Sequence, residues 1–593
     1  MGNTFEIKVI QEPDGLASAI SEKFIMWENA KADWCKSARE TLENIYATST
    51  HDIYNQTREF DNSTHIPKIA QIRDMLVTYY LDAMFSLPDF VDWIPYDSSS
   101  TSAETKETLK SLMRQMLSDS NFKPTIRQIV EDYVDYGNAF ATSVLVNQTL
   151  RGADNKTSII YNGPKAVRID PMSIFFDPFA VDFASSPKII RNITTLGELI
   201  KNSEDMPEDS NMYKKALNKA IKKRSQIRNR LSQGQQEVIE DDICNIAGLG
   251  SWSAYYNSDI VEILTFYGDL YDIATNKLYK NSRIVIMDRS FVLLNEPIKD
   301  FGFSSNIFKA GWRDRKNLLW SMSPLENIKG MQFMVDFLEN KRADIFNFIS
   351  NPIFVSYGDV EMPEYPYPGC HIGLDNDSKL EMLRPDATAL QADLYIDRYQ
   401  TQMEEMAGTP REAMGFRTPG EKTAFEVSQL NTAASRLFND KTHKFEEEML
   451  EPLLTLMMRM YLSDGARVVK IRSVNDMGVT IFKDVNVKDL SANGKFVATG
   501  SSTYTEKARI AQTLLQLSNT QFFSDSLVYN YFDPKELADI LVYSTGLDKF
   551  SKLIKPNARV DAELDMRKAA EYNQQQLEET QIRGVLNAEQ ASM

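Results

Sequence analysis

Two long helical stretches, each fenced by boundary signals, bracket a segment that cannot be helical. Ser323-Pro324-Leu325-Glu326 reads as a capping box with proline at the first helical position. The helix it predicts runs to Ser350, where Asn351-Pro352 stops it. At 1.5 Å per residue that is roughly 40 Å. Residues 351–385 follow, crowded with Pro, Gly and Tyr ("EMPEYPYPGC"). A second helix is predicted over 386–407, with Gly408 at its C-cap and Pro410 just beyond. A chain that leaves its body on one long helix and returns on another presents the intervening segment at a distance from that body.

Upstream, apolar residues at helical spacing (Ile20, Phe24, Trp27, Ala30, Trp34) predict a helix over 15–50. Further helices are expected after Pro67, from Glu104 to Ser118, and over "PTIRQIVEDYVDYGNAF". After Gly137 the pattern becomes strand-like, and the Gly-Pro and Asp-Pro pairs between 140 and 190 read as turns. Residues 214–230, "KKALNKAIKKRSQIRNR", hold basic residues and no acidic one, between acidic flanks. They form either a binding patch centred on Lys222, Lys223 and Arg224, for nucleic acid or for another protein, or a solvated helix neutralised by those flanks. Strands return in "DIVEILTFYGDLYD", "KLYKNSRIVIMDRSFVLLNE" and "NIFKAGWR". Beyond 420, a long helix meets no Gly or Pro until Pro452. Strand-like pieces follow, then helices from Tyr504 to a Gln/Glu-rich end.

Charge and composition exclude several classes. The chain has 593 residues and a net charge of −17, from 66 Lys and Arg against 83 Asp and Glu. A protein that grips duplex DNA over its whole surface is basic, so any DNA contact here is local. Three separated cysteines (Cys35, Cys244, Cys370) give neither a disulfide framework nor metal-ligand spacing, and four histidines show no paired spacing. No metal or other cofactor is expected. The N-terminal residues lack a basic region followed by an apolar run. The most apolar stretch, "EPLLTLMMRMYL", is too short to span a bilayer, so a soluble protein without a membrane partner is expected.

The loop after Gly408 contains Gly415-Phe-Arg-Thr-Pro-Gly420-Glu421-Lys422-Thr423, one insertion away from a phosphate-binding loop. Such a loop needs consecutive backbone N–H groups after a strand. Here the preceding element is a helix. Pro419 removes one N–H, and Glu421 puts a carboxylate where phosphate charge would sit. Nucleotide hydrolysis is therefore not expected. "DNDSKLE" (375–381) lacks the glycine of a calcium loop. No nucleophile elbow occurs, and Asp132 and Asp135 read as a solvated helix face.

The order of these pieces resembles the portal proteins (head-to-tail connectors) of tailed bacteriophages, of the short-tailed-phage type. The likeness spans residues 15–560 and is densest in "NSTHIPKIAQIRDML", "DYVDYGNAFATSVLV", "YNGPKAVRIDPMSIFFDPFA" and "GEKTAFEVSQLNTAASRLF". It implies an α+β, mainly helical fold assembled as a ring, usually of twelve copies, at one capsid vertex. Residues 1–322 would be the wing, 323–350 and 386–407 the stem, and 351–385 the clip. Residues 408–420 would be the tunnel loop, 421–503 a long helix returning to the wing, and 504–593 the crown.

The resemblance implies no enzymatic activity. It implies DNA passing through the channel during packaging and ejection. The terminase large subunit, tail adaptors, and capsid and scaffolding proteins would be its partners in the virion and in the host cytoplasm. Arg411, Glu412, Met414, Phe416, Arg417 and Lys422 are the candidate channel residues. Phe354, Tyr357, Tyr365 and Tyr367 are the candidate tail-docking residues, because aromatics anchor interfaces. The competing expectations are a structural or scaffolding virion protein without a channel, and a nucleotide-binding enzyme using residues 415–423.

Overall fold

A computed structural model describes residues 5–7, 13–46, 64–85, 90–96, 103–151, 157–204, 211–231, 255, 258–272, 276–350, 353–361, 363, 372–374, 376–383, 392–408, 438–463, 468–474, 480–486, 494–498 and 566. The described fold mixes helix and sheet. In chain order it begins with β1 (Phe5–Ile7), α1 (Pro13–Tyr46), α2 (Lys68–Phe85), β2 (Val91–Pro95), α3 (Ala103–Asp119) and α4 (Phe122–Asp135). Next come β3 (Asn138–Arg151), β4 (Thr157–Ile169), β5 (Ile174–Phe176), β6 (Lys188–Thr195), α5 (Leu196–Glu204) and α6 (Asn211–Leu231). Strands β7 (Ile260–Asp272), β8 (Lys277–Met287), β9 (Phe291–Pro297), β10 (Ile307–Gly311), β11 (Arg313–Arg315) and β12 (Leu318–Met322) lead to α7 (Lys329–Ser350). Then follow β13 (Ile353–Tyr357), β14 (Val360–Glu361), β15 (Gly373–Leu374), β16 (Lys379–Leu383) and α8 (Asp393–Ala407). A helix from 438 continues through a π-helical turn (Glu446–Leu450) into α9 (Glu451–Leu462). Strands β17 (Val468–Val474), β18 (Thr480–Asn486) and β19 (Gly494–Ala498) are the last described elements.

The chain divides into two compact units, Met1–Ala83 with Ser120–Met460, and Met84–Asp119 with Tyr461–Met593. The first is built on the antiparallel sheet β5-β6-β7-β8-β9. Strand β6 pairs with residues 260–267 of β7, and β1 pairs in parallel with 270–272. Alternation along β7 and β8 splits their apolar residues between two faces. Leu264, Phe266, Ile284 and Ile286 pack under Leu16, Ile20, Phe24 and Trp27 of α1. Val261, Ile263, Val285 and Met287 pack under Leu199 of α5 and Tyr213, Leu217 and Ala220 of α6. The predicted α1 stripe is corrected at one step. Ala30 is exposed, and Lys31 takes the buried place. Its ammonium donates to the carbonyls of Pro171 (2.6 Å), Met172 (2.8 Å) and Ile174 (2.9 Å), so the polar head is satisfied inside the core.

A second sheet, β10-β3-β4, starts at Gly137, whose φ of +66° turns α4 into β3. A Cβ there would lie 2.4 Å from the Met322 backbone, which leaves room for glycine alone. The expected Gly-Pro turn is not one. Gly163 and Pro164 lie within β4, opposite Val146 and Leu145. β4 is an edge strand, the place in a sheet where proline is tolerated. Asp132 and Asp135 are also corrected. Both are buried, Asp132 held by two bonds from Arg168 (2.5 and 2.7 Å) and Asp135 by two from Arg73 (2.8 and 2.9 Å).

The start of the first long helix shifts by one turn. Ser323 Oγ accepts from Leu325 N (3.0 Å) but donates to Val134 O (2.7 Å), and Glu326 reaches Arg315 instead of closing the box. Residues 324–328 form turns that bury Leu325 and Ile328, and α7 begins at Lys329. At 1.5 Å per residue, its 22 residues span about 33 Å. Gly408 caps α8 with φ +77°, as the sequence predicts. The helix from 438 crosses Pro452 without stopping. The π turn before it lets the Glu451 N–H reach Glu446 O, and the wider turn accommodates the proline ring.

A polar stripe pins α7 to the segment before α2. Gln332, Asp336 and Asn340, one helical turn apart and buried, bond the backbone of Ile66, Ile69 and Thr64. His65 completes the clasp. Its Nδ1 lies 2.6 Å from Asp336 Oδ2 and its Nε2 lies 3.1 Å from Asn44 O. Both partners are acceptors, so the imidazolium form satisfies both. The hydrogen bond to Asp336 accordingly raises the His65 pKa above its ordinary 6.5. A raised folded-state pKa gives stability that is full below 6.5 and is lost as pH rises through the folded value. Thermal denaturation between pH 5 and pH 9 tests this clasp. The parent should lose stability on the alkaline side, and His65→Gln should flatten that slope. A slope unchanged by the substitution would exclude His65 as its source.

In the second unit, β2 pairs with β19, and Trp93 packs on Phe496 with ring centroids 4.7 Å apart. Strand β17 pairs with β18, and Leu109, Leu112, Met113 and Met116 of α3 are buried.

Candidate interaction surfaces

The segment between the two long helices is a β structure that the sequence reading did not anticipate. Strand β13 pairs with β16, and β14 with β15, all antiparallel. Helix α8 returns beside α7, with Arg342 of one ion-paired to Asp393 of the other. The alternation in "IFVSY" and "KLEML" was the available signal, hidden by the Pro and Gly between them.

The described residues of this arm form no core of their own. None of the described residues from 341 to 395 is buried. Large apolar side chains nonetheless line it: Phe346 (62% exposed), Ile353, Tyr357 (56%), Leu383, Leu394 (77%) and Tyr395 (60%). Contiguous exposed apolar surface is the usual character of interaction sites, which makes the arm the candidate interaction surface among the described residues. Of the candidate docking residues, Phe354 is half-buried and Tyr357 exposed on β13. Tyr365 and Tyr367 lie outside the described residues, as do Arg411, Glu412, Met414, Phe416, Arg417 and Lys422. Residues 504–593 are likewise outside them, apart from Met566.

The basic run forms α6, and its periodicity sorts its cations. Tyr213, Leu217, Ala220 and Arg224 make one buried stripe. Arg224 therefore does not belong to an exposed patch. Its Nη1 donates to both Asp288 oxygens (2.8 and 2.6 Å), and its Nη2 to the carbonyls of Ile260 (2.7 Å) and Tyr255 (3.2 Å). The Tyr255 hydroxyl also donates to Asp288. Lys223 is half-buried, its ammonium 5.4 Å from the Phe291 ring centre. Lys222 is exposed, on the same stripe as Lys215 and Lys219, which the sequence reading passed over.

No metal-ligating group of three His, Cys, Asp or Glu side chains occurs among the described residues. A cleft of about 1470 Å³ runs between α1, β6 and the start of α7. Two of its cations are already paired, Lys329 with Glu40 at 2.7 Å and Arg191 with Glu28 at 3.8 Å. No helix of the described residues is long and apolar enough to cross a membrane. No protein-family model matches the chain, and no curated protein matches it in sequence.

Proposed function

We infer that this chain is one copy of a ring-forming portal protein of the tailed-bacteriophage type. In this reading it is a non-enzymatic conduit through which DNA enters and leaves a capsid. The observation that carries the reading is the arm. A helix–β–helix arm with no buried residue among those described from 341 to 395, yet lined with large apolar side chains, is a surface that further chains would cover. Identical copies set side by side around an axis supply that cover, and a heterologous contact that closes makes a ring. The order of the described elements supports the reading: an α/β body, α7, a β excursion, α8 and, later in the chain, a helix running from 438 through α9.

In this reading the body is the wing, α7 and α8 the stem, 351–385 the clip, 408–420 the tunnel loop and 504–593 the crown. A twelve-copy ring would carry about −200 charges, twelve times the chain's −17, and would let DNA slide instead of gripping it. The energy for packaging would come from a separate terminase, and tail adaptors would dock at the clip.

Electron microscopy of the purified full chain, with its mass measured in solution, tests the reading. A closed ring with a central channel is expected. A monomer, or an assembly without a channel at concentrations where capsid proteins assemble, would overturn it.

A further inference from the structure

We propose that the outer stripe of α6 is a phosphate-binding face that holds duplex DNA without regard to sequence. Lys215, Lys219, Lys222 and Gln226 stand at i, i+4, i+7 and i+11 and are all exposed. They lie opposite the buried stripe of Tyr213, Leu217, Ala220 and Arg224. The helix is therefore fixed to the sheet by one side and turns three ammonium groups outward on the other.

Asn218, Ser225 and Arg228 flank the stripe and are also exposed, adding donors of the kind that bind phosphate oxygens. No acidic residue occurs between 211 and 231. Among the described residues, none pairs with Lys215, Lys219, Lys222 or Arg228. The three lysines span about 10 Å of helix, the axial rise of three nucleotides at 3.4 Å each. Flexible lysine stems can therefore meet successive phosphates along one strand.

The chemistry of the face separates nucleic acid from an acidic protein as the partner. None of the exposed large apolar side chains among the described residues lies on α6. Protein interfaces are organised around apolar and aromatic anchors, and lysine is depleted from them. DNA interfaces are polar and strongly positive. A lysine stripe with amide and hydroxyl neighbours and no anchor suits a phosphate backbone. Because the rest of the chain is acidic, contact would be confined to this face and would weaken steeply with salt.

Binding of the full-length chain to a fluorescent 30-base-pair duplex of mixed sequence tests the proposal. The comparison is between the parent and Lys215→Gln/Lys219→Gln/Lys222→Gln. The substituted residues are exposed, so the variant should denature as the parent does. A DNA contact elsewhere in the chain is common to both proteins and cancels.

Losing three phosphate contacts should reduce the slope of log affinity against log salt by about 2.7. The variant's fall in affinity between about 50 and 200 mM salt is then roughly 40-fold smaller. A triple Lys→Arg variant should bind as the parent does. An unchanged salt slope in the glutamine variant overturns the proposal. So does a poly-glutamate peptide that binds the parent more tightly than the duplex and is lost in the variant, which would assign the face to an acidic protein. The outcome is independent of whether the copies close into a ring.

Discussion

Replacing Arg224 with alanine should destabilise the α/β body by about 3–5 kcal/mol, the cost of leaving a buried charge without its partner. Asp288 is 5% exposed and receives both donors of one guanidinium nitrogen. It also sits in the turn between β8 and β9, where Asp288 (φ +51°) and Arg289 (φ +57°) both occupy the left-handed region. Such a turn favours Asn-Gly, and here side-chain bonds hold it instead. Arg224 fixes Asp288, while Glu262 accepts from Arg289 at 2.7 and 3.0 Å. Removing Arg224 frees the helix, the turn and Tyr255 together. Arg224→Lys should recover little, because an ammonium cannot make the forked contact and still reach two carbonyls. Arg224→Met with Asp288→Asn should recover more than half, since no buried charge remains and asparagine tolerates positive φ. Chemical denaturation of the four proteins measures this. If Arg224→Ala costs under about 0.5 kcal/mol, the range of a surface change, the ion pair does not anchor α6.

Arg224 also shows where a linear reading runs out. Periodicity found the helices and most strands, because each buries one face against a partner and the apolar spacing records it. The same periodicity places Arg224 with Tyr213, Leu217 and Ala220, but a basic residue within a basic run reads as solvated until its acidic partner is known. That partner, Asp288, is 64 residues away. Asp132 and Asp135 failed for the same reason, since Arg168 and Arg73 lie on other elements. The Ser323 box failed because tertiary bonds to Val134 and Arg315 outcompeted the local cap. The strands of the arm were legible as alternation, but their pairing across the proline-rich interval was not. Of the exposed arm surface, only Tyr357 stood out in the sequence, as an aromatic in the proline-rich segment; Phe346, Leu394 and Tyr395 did not. Apolar residues at ordinary density look alike whether their own chain covers them or another does.

Phe346→Asp combined with Leu394→Asp should abolish assembly while leaving the single chain folded. Both side chains are more than half exposed in the isolated chain, so their loss removes no core contact. In an assembly that covers them, each contributes about 1.5–3 kcal/mol by leaving water. A carboxylate set in the same dry contact adds a desolvation penalty of its own. A loss of only 3 kcal/mol per contact weakens each interface more than a hundredfold. A closed ring needs every one of its contacts, so the loss recurs at each interface. The measurement is mass in solution across a concentration series, paired with thermal denaturation. The expected result is a monomer that melts as the unassembled parent does. Assembly by the variant at the parent's concentrations would show that the arm is not packed between copies, and the ring would need another contact to hold it.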